Sequence, residues 1–160
     1  MQNKKRSKVQ ENKVAKDVGG KVLIASGALW FAKGDVRSSR FLIECKTTNK
    51  DFYNLSATTW EKIYREATKD GLRIPIMCIE LRGKTLALLR VEDLQGLDNI
   101  YYKSIISTSS VNPTASVFKS LRIKDMFILS TCSNSKGSPF NLITIPWEDF
   151  LNIVREEETE

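Results

Sequence analysis

Asp35, Glu44 and Lys46 are the residues of this 160-residue chain whose types and spacing could do chemistry. Glu44-Cys45-Lys46 closes an apolar run, Phe41-Leu42-Ile43, and Asp35 stands on the far side of a short polar turn at Ser38-Ser39. Side chains of a strand alternate between faces, so Leu42, Glu44 and Lys46 share one face while Phe41, Ile43 and Cys45 share the other. A turn that folds Asp35 back onto this strand brings two carboxylates and one ammonium together at the end of a hairpin. Two carboxylates bind a hard divalent cation such as magnesium through oxygen, and a lysine beside them stabilises charge on a phosphate or orients an attacking water. The chemistry that follows is phosphodiester hydrolysis. The apolar run before Glu44 reads as a strand covered on both faces, and charges at the end of such a strand need a partner or a task.

The elements that must position these residues are legible to different degrees. A helix over residues 8–18 is expected, stopped by Gly19-Gly20, with Val14 and Val18 on its buried stripe and Glu11 at the margin. A short strand at 22–25 leads into the permissive loop Ser26-Gly27-Ala28. Leu29-Trp30-Phe31 then either pack on the core or meet a ligand. Residues 56–69 read as a helix, with Thr58 and Glu61 as a capping box and Trp60, Ile63, Tyr64 and Ala67 on its core face. Strands are expected at 75–81 and 86–91, at 121–129 and at 142–145, with a polar loop over 98–113 and a turn over 134–139. A last helix starts at Pro146, where Glu148 and Asp149 suit the first turn and Trp147, Phe150, Leu151 and Val154 close the core.

Composition narrows the chemistry. No histidine is present, which excludes Ser-His-Asp triads, Cys-His nucleophiles, His-ligated zinc and any nuclease with a histidine base. Cys45, Cys78 and Cys132 are widely spaced and read as buried thiols. Net charge is +6, with a pI near 9.3. Residues 1–21 hold seven Lys or Arg against two acids, whereas residues 148–160 hold six acids against Arg155. A basic body with a basic N-terminal arm suits a polyanionic partner. With no apolar signal core and no membrane-length run, the expected location is cytoplasmic.

Glu11 on the first helix, Ser26-Gly27, Gly34-Asp35-Val36, Ile43-Glu44-Cys45-Lys46-Thr47-Thr48 and the helix carrying Trp60 to Ala67 stand in a particular order. In that order the chain resembles the archaeal-type Holliday junction resolvases and their phage relatives, within the PD-(D/E)xK nuclease superfamily. The resemblance covers residues 6–91. It implies an α/β fold with a restriction-endonuclease-like mixed central β-sheet flanked by helices. Residues 1–7 would be a basic arm, 8–91 the nuclease core, and 92–160 an extension packed on the same domain.

By position, the resemblance makes Asp35 and Glu44 metal ligands, joined by the Cys45 backbone carbonyl and by Glu11 directly or through water. Lys46 becomes the catalytic lysine, and Ser26 a serine that some members need for cleavage. Lys4, Lys5, Arg6, Lys8, Ser26, Gly27, Lys33, Thr47 and Thr48 would contact DNA. The implied cofactor is Mg2+, with Mn2+ able to substitute. The implied partners are branched or double-stranded DNA and a second copy in a homodimer, without a membrane or a nucleotide cofactor. If phage-encoded, the protein would work in the host cytoplasm. Another nuclease of the superfamily (nicking, restriction-like or repair) and a non-cleaving DNA-binding protein of the same fold are the alternatives. One departure stands out: Gly34 occupies the place of the family's proline.

Overall fold

The runs Phe41-Leu42-Ile43 and Ile76-Met77-Cys78-Ile79 are apolar on both faces, and strands of that kind belong where both faces are covered. The computed structural model, which describes residues 2–24, 34–96, 120–123, 129–133 and 139–157, places them side by side in the middle of a sheet. The elements in order are α1 (Gln2–Asp17), β1 (Lys21–Val22), β2 (Val36–Arg37), β3 (Phe41–Thr47), β4 (Tyr53–Ser56) and α2 (Ala57–Lys69). After these come β5 (Ile74–Leu81), β6 (Lys84–Arg90), α3 (Val91–Gly96), β7 (Ser120–Ile123), β8 (Leu129–Ser133), β9 (Pro139–Pro146) and α4 (Trp147–Glu157).

The result is a mixed α/β fold with a mostly antiparallel central sheet flanked by helices. Seven strands run in the order β1-β2-β3-β5-β6-β9-β8, and only β3 and β5 pair in parallel. A parallel pair needs a crossover, and α2 supplies it. A second sheet has two strands, β4 and β7.

Pleating sorts the core into two layers. Phe41, Ile43, Cys45, Ile76, Cys78, Ala87, Leu89, Ile143 and Ile145 face α1 and α4, where they meet Val14, Ala15, Trp147, Phe150 and Leu151. Phe41 packs edge-on against Phe150, with ring centroids 5.4 Å apart. On the other face Met77, Ile79, Leu86 and Leu88 meet Trp60, Ile63 and Ala57 of α2. The core positions expected of the last helix, Trp147, Phe150, Leu151 and Val154, are all buried.

Several boundaries differ from expectation. α1 starts at Gln2, so the basic arm is the first turn of a helix rather than a tail. Lys, Arg and Gln propagate helices well, and Arg6 is tied down by Glu80 and Asn49. α2 is capped by Ser56, whose Oγ accepts from the Thr59 amide at 3.2 Å, so the capping residue stands two positions before Thr58. The single strand expected over 121–129 is two, β7 and β8, in different sheets. β4 and α3 were not anticipated. The loop over 98–113, Leu29-Trp30-Phe31 and the turn at 134–138 lie outside the described residues, as does the side chain of Cys132.

At the end of the sheet where β3 and β5 begin, every charge of the Asp70 cluster has a partner. Asp70, just past α2, takes Arg37 Nη2 at 3.0 Å and Arg73 Nη1 at 3.2 Å. Arg73 also donates from Nε to the Ser38 carbonyl at 2.8 Å and from Nη1 to the Asp70 carbonyl. One acid, two cations and two carbonyls leave few unsatisfied groups there.

Candidate functional site

At the opposite end of β3, among the described residues, only one of the acids Asp35, Glu44 and Glu11 is bonded to a cation. β2 and β3 pair with Val36 against Ile43, and continuing that register sets Asp35 opposite Glu44. Three hydrogen bonds hold Asp35. Its amide donates to the Ile43 carbonyl at 3.0 Å, its carbonyl accepts from Leu23 at 2.8 Å, and its Oδ2 accepts from the Cys45 amide at 2.7 Å. Asp35 is therefore fixed by β3, the strand that carries its partners.

Gly34 has a backbone reason to be glycine. Its φ is +91°, a conformation closed to proline, whose ring holds φ near about −65°. A Cβ at this position would also meet Leu42 Cδ1 at 2.9 Å, and Leu42 is buried. The chain enters β2 by a turn that glycine permits and proline does not.

Lys46 Nζ donates to Glu44 Oε1 at 2.5 Å, along the shared face of β3. Burial alone would depress the Lys46 pKa, but the hydrogen bond and charge of Glu44, aided by Tyr53 and Asp35, hold it above the ordinary lysine value. Lys46 is thus a permanent ammonium at neutral pH. Asp35 is pushed above the usual carboxylate range, first by burial and then by repulsion from Glu44; the Cys45 amide, Lys46 and Lys62 pull the other way. Glu11 is raised as well, by burial and then by Asp35, with Lys8 opposing and Glu44 adding. Three acids from α1, the approach to β2, and β3 thus repel one another across a single spot.

α1 brings Glu11 there through its neighbour. Gln10 is buried, and its Nε2 donates to the Lys46 carbonyl at 3.1 Å and to the Cys78 carbonyl at 3.3 Å, fastening the helix to the ends of β3 and β5. Tyr53, at the start of β4, comes close to Lys46 and Glu44, and burial raises its phenol pKa. Lys62 of α2 adds positive charge toward Asp35. None of Gln10, Tyr53 and Lys62 was foreseen. The one available signal was Gln10, a polar residue four before Val14 and so on the buried stripe of α1.

The remaining expected residues fall into three groups. Lys5 and Lys8 are exposed on α1. Arg6 is instead paired with Glu80, its Nη2 lying 2.9 Å from Oε1 and its Nη1 bonded to Asn49 Oδ1, so it fixes α1 rather than standing free for a phosphate. Thr47 donates from Oγ1 to Glu80 at 3.4 Å, and Thr48 accepts from the Lys50 amide at 3.1 Å. Ser26, Gly27, Lys33 and the side chain of Lys4 lie outside the described residues. Cys45 and Cys78 stand in register on β3 and β5 as free buried thiols; burial pushes Cys45 far up and Cys78 to about 12, so neither is a nucleophile.

The donor set, carboxylates and a backbone carbonyl, suits a hard divalent cation. Among the described residues no three Asp, Glu, Cys or His side chains are drawn together closely enough to hold a metal by themselves. Asp35 and Glu44 with the Cys45 carbonyl are the groups that fit, with Glu11 one step further off. Among the described residues no helix is long and apolar enough to cross a membrane. No family of known proteins, no curated protein and no solved structure matches the chain.

Proposed function

We propose that this protein is a divalent-metal-dependent endonuclease that hydrolyses phosphodiester bonds in branched DNA, built on a restriction-endonuclease-like core. The observation that carries the reading is the clamp of Asp35 opposite Glu44, with Lys46 beside them and Glu11 repelled by both. Asp35 and Glu11 are raised in pKa first by burial and then by neighbouring acids, at a cost in stability. Carboxylates held in that way are a mark of sites that work on charge.

Asp35, Glu44 and the Cys45 carbonyl would hold a magnesium ion, with Glu11 reaching it through water. When bound, the ion would lower the pKa of a water and offset phosphate charge. The chain's own residues do the rest. Lys46, held as an ammonium, donates from Nζ to a non-bridging phosphate oxygen and does not act as a base. Glu11 accepts a hydrogen bond from the attacking water, and its raised pKa suits it to receive that proton. Asp35 keeps its place through the Cys45 amide, so the site stays aligned as charge develops.

DNA binding is supported by the outer face of α1. Lys5, Lys8, Asn12, Lys13 and Lys16 are exposed at helical spacing, forming one basic stripe beside the site. A helix of this kind lies along a phosphate backbone. Paired nicks across a junction would follow from a two-fold dimer that carries two such sites.

The test is incubation of the protein with a labelled four-way junction and a matched linear duplex, with magnesium or with a chelator, alongside Glu44→Ala. Magnesium-dependent paired nicks on the junction, lost in the variant, are the expected result. Cutting of both substrates alike would make it a broader nuclease. Binding without cutting would make it a DNA-binding protein of the same fold.

A further inference from the structure

Residues 47–53 leave Lys46 and return to it: the loop starts at the end of β3 and closes at Tyr53, whose phenol comes close to the Lys46 ammonium. Its backbone is tied down. The Thr48 amide donates to the Glu80 carbonyl at 2.9 Å, the Lys50 amide to Thr48 Oγ1 at 3.1 Å, and the Arg82 amide to the Lys50 carbonyl at 3.0 Å. On one side of the loop is an open cleft of about 320 Å³ lined by Arg6, Ser7, Thr47, Thr48, Asn49 and Lys50. On the other is Phe52, partly exposed, with Lys50 Nζ 5.4 Å and Arg122 Cζ 3.8 Å from its ring centroid. Arg122 arrives from β7, set opposite Asn54 of β4. Among the described residues neither Lys50 nor Arg122 has a carboxylate partner.

We propose that this loop and Arg122 form a track for an unpaired DNA strand beside the cleavage site. One phosphate of the strand lies in the cleft against Lys50, and one base stacks on the Arg122–Phe52 platform. The inference rests on the nuclease reading and narrows its substrate. An aromatic ring flanked by unpaired cations offers π-stacking, cation–π attraction and phosphate charge in one place, the combination that single-strand binders use. A base inside a duplex has both faces covered by its neighbours, so only a splayed nucleotide at a branch, flap or end can use the platform. Lys50, which lines the cleft and covers the ring, joins the phosphate and base positions.

The experiment is done on the full chain with a chelator present, so that no strand is cut and binding is read apart from catalysis. A single-stranded oligonucleotide and a junction with unpaired nucleotides at its centre each carry a fluorescent base analogue; a plain duplex serves as reference. Wild-type protein is expected to quench the analogue. Phe52→Ala abolishes the quenching and weakens binding to both unpaired substrates about tenfold, with duplex affinity within about twofold of wild type. Phe52→Trp restores both signals, which a folding defect in the alanine variant would not allow. Arg122→Gln and Lys50→Gln each weaken the same two substrates selectively.

The proposal is overturned if Phe52→Ala quenches and binds as wild type does, if all three substrates weaken equally, or if wild-type protein binds no unpaired strand. Magnesium-dependent cleavage by wild-type protein is judged separately. A chain that binds single strands through Phe52 but never cuts refutes the nuclease reading and leaves the track standing.

Discussion

The two ends of β3 carry ion clusters of opposite character. Where the strand begins, Asp70 is shared by Arg37 and Arg73, and Arg73 is further satisfied by two backbone carbonyls. Where it ends, Lys46 is bonded to Glu44 alone, and Asp35 and Glu11 have no bonded cation among the described residues. Burial followed by repulsion holds those two acids above their ordinary pKa although Lys8, Lys46 and Lys62 oppose it. The first cluster ties β2 and the chain after α2 to one another and asks for nothing more. The second is held by β3 and α1, and two of its acids lack a bonded cation among the described residues. Direct pairing marks a joint of the fold, and its lack is what the proposed site rests on.

The largest effect expected at the Glu44 end is kinetic. Glu44→Ala or Lys46→Ala lowers the cleavage rate by about 10³-fold or more, a barrier rise of roughly 4 kcal/mol, in protein that still folds, and DNA binding by Lys46→Ala changes little. A variant that cuts near the wild-type rate would remove the contrast altogether. At the Asp70 end the pattern inverts: Asp70→Ala leaves two partly buried arginines without their acid and costs about 1–3 kcal/mol in urea unfolding, with turnover of the remaining folded protein unchanged.

Asp35→Asn separates stability from activity within one residue. Asparagine keeps an acceptor for the Cys45 amide and removes the repelled charge. Because the folded-state pKa of Asp35 is raised, its contribution favours the fold below the ordinary carboxylate range and is lost as pH rises through the raised value. The variant therefore melts higher than wild type at about pH 7.5 and gains little at about pH 3.5, while cleaving nothing. Equal melting temperatures at both pH values would mean that the repulsion is not felt.

Two smaller effects sharpen the picture. No alkaline loss of cleavage from Lys46 deprotonation occurs below the ordinary lysine value of about 10.4. Replacing Lys5, Lys8, Lys13 or Lys16 singly with Gln reduces the salt dependence of DNA binding by about one ion each, without sequence preference.

Much of the site was legible because its chemistry sits in one short segment. Asp35, Glu44 and Lys46 belong to a hairpin, where strand alternation puts Glu44 and Lys46 on one face and the turn brings Asp35 opposite Glu44. Trp60, Ile63 and Ala67, and likewise Trp147, Phe150 and Leu151, were legible as core because helical spacing is strong over many residues. What escaped depends on contacts distant in sequence. β4 is four residues long, and its partner β7 lies far along the chain, so nothing local distinguishes it from loop. Gln10 acquires its meaning only when β3 and β5 lie side by side and offer it two carbonyls. Tyr53 and Lys62 join the site through the return of a loop and the facing of a helix. The start of α1 was misjudged because Arg6 finds Glu80, 74 residues away.

The hydrogen bond from Trp147 Nε1 to Asp17 Oδ2, 3.0 Å long, is one more sequence-distant contact, here between the last helix and the first. It sets an order of events during synthesis. β9 must insert beside β6, and Trp147 and Phe150 must cover the stripe of α1, before Val14 and Ala15 are out of water. Until then the first helix has little to hold it, and with it Glu11. Contacts this distant in sequence slow folding. A chain still on the ribosome, with β3 already made but α4 not yet emerged, would carry the acids and the lysine without the assembled spot. The gathered acids and lysine would therefore come together late and all at once, when α4 docks.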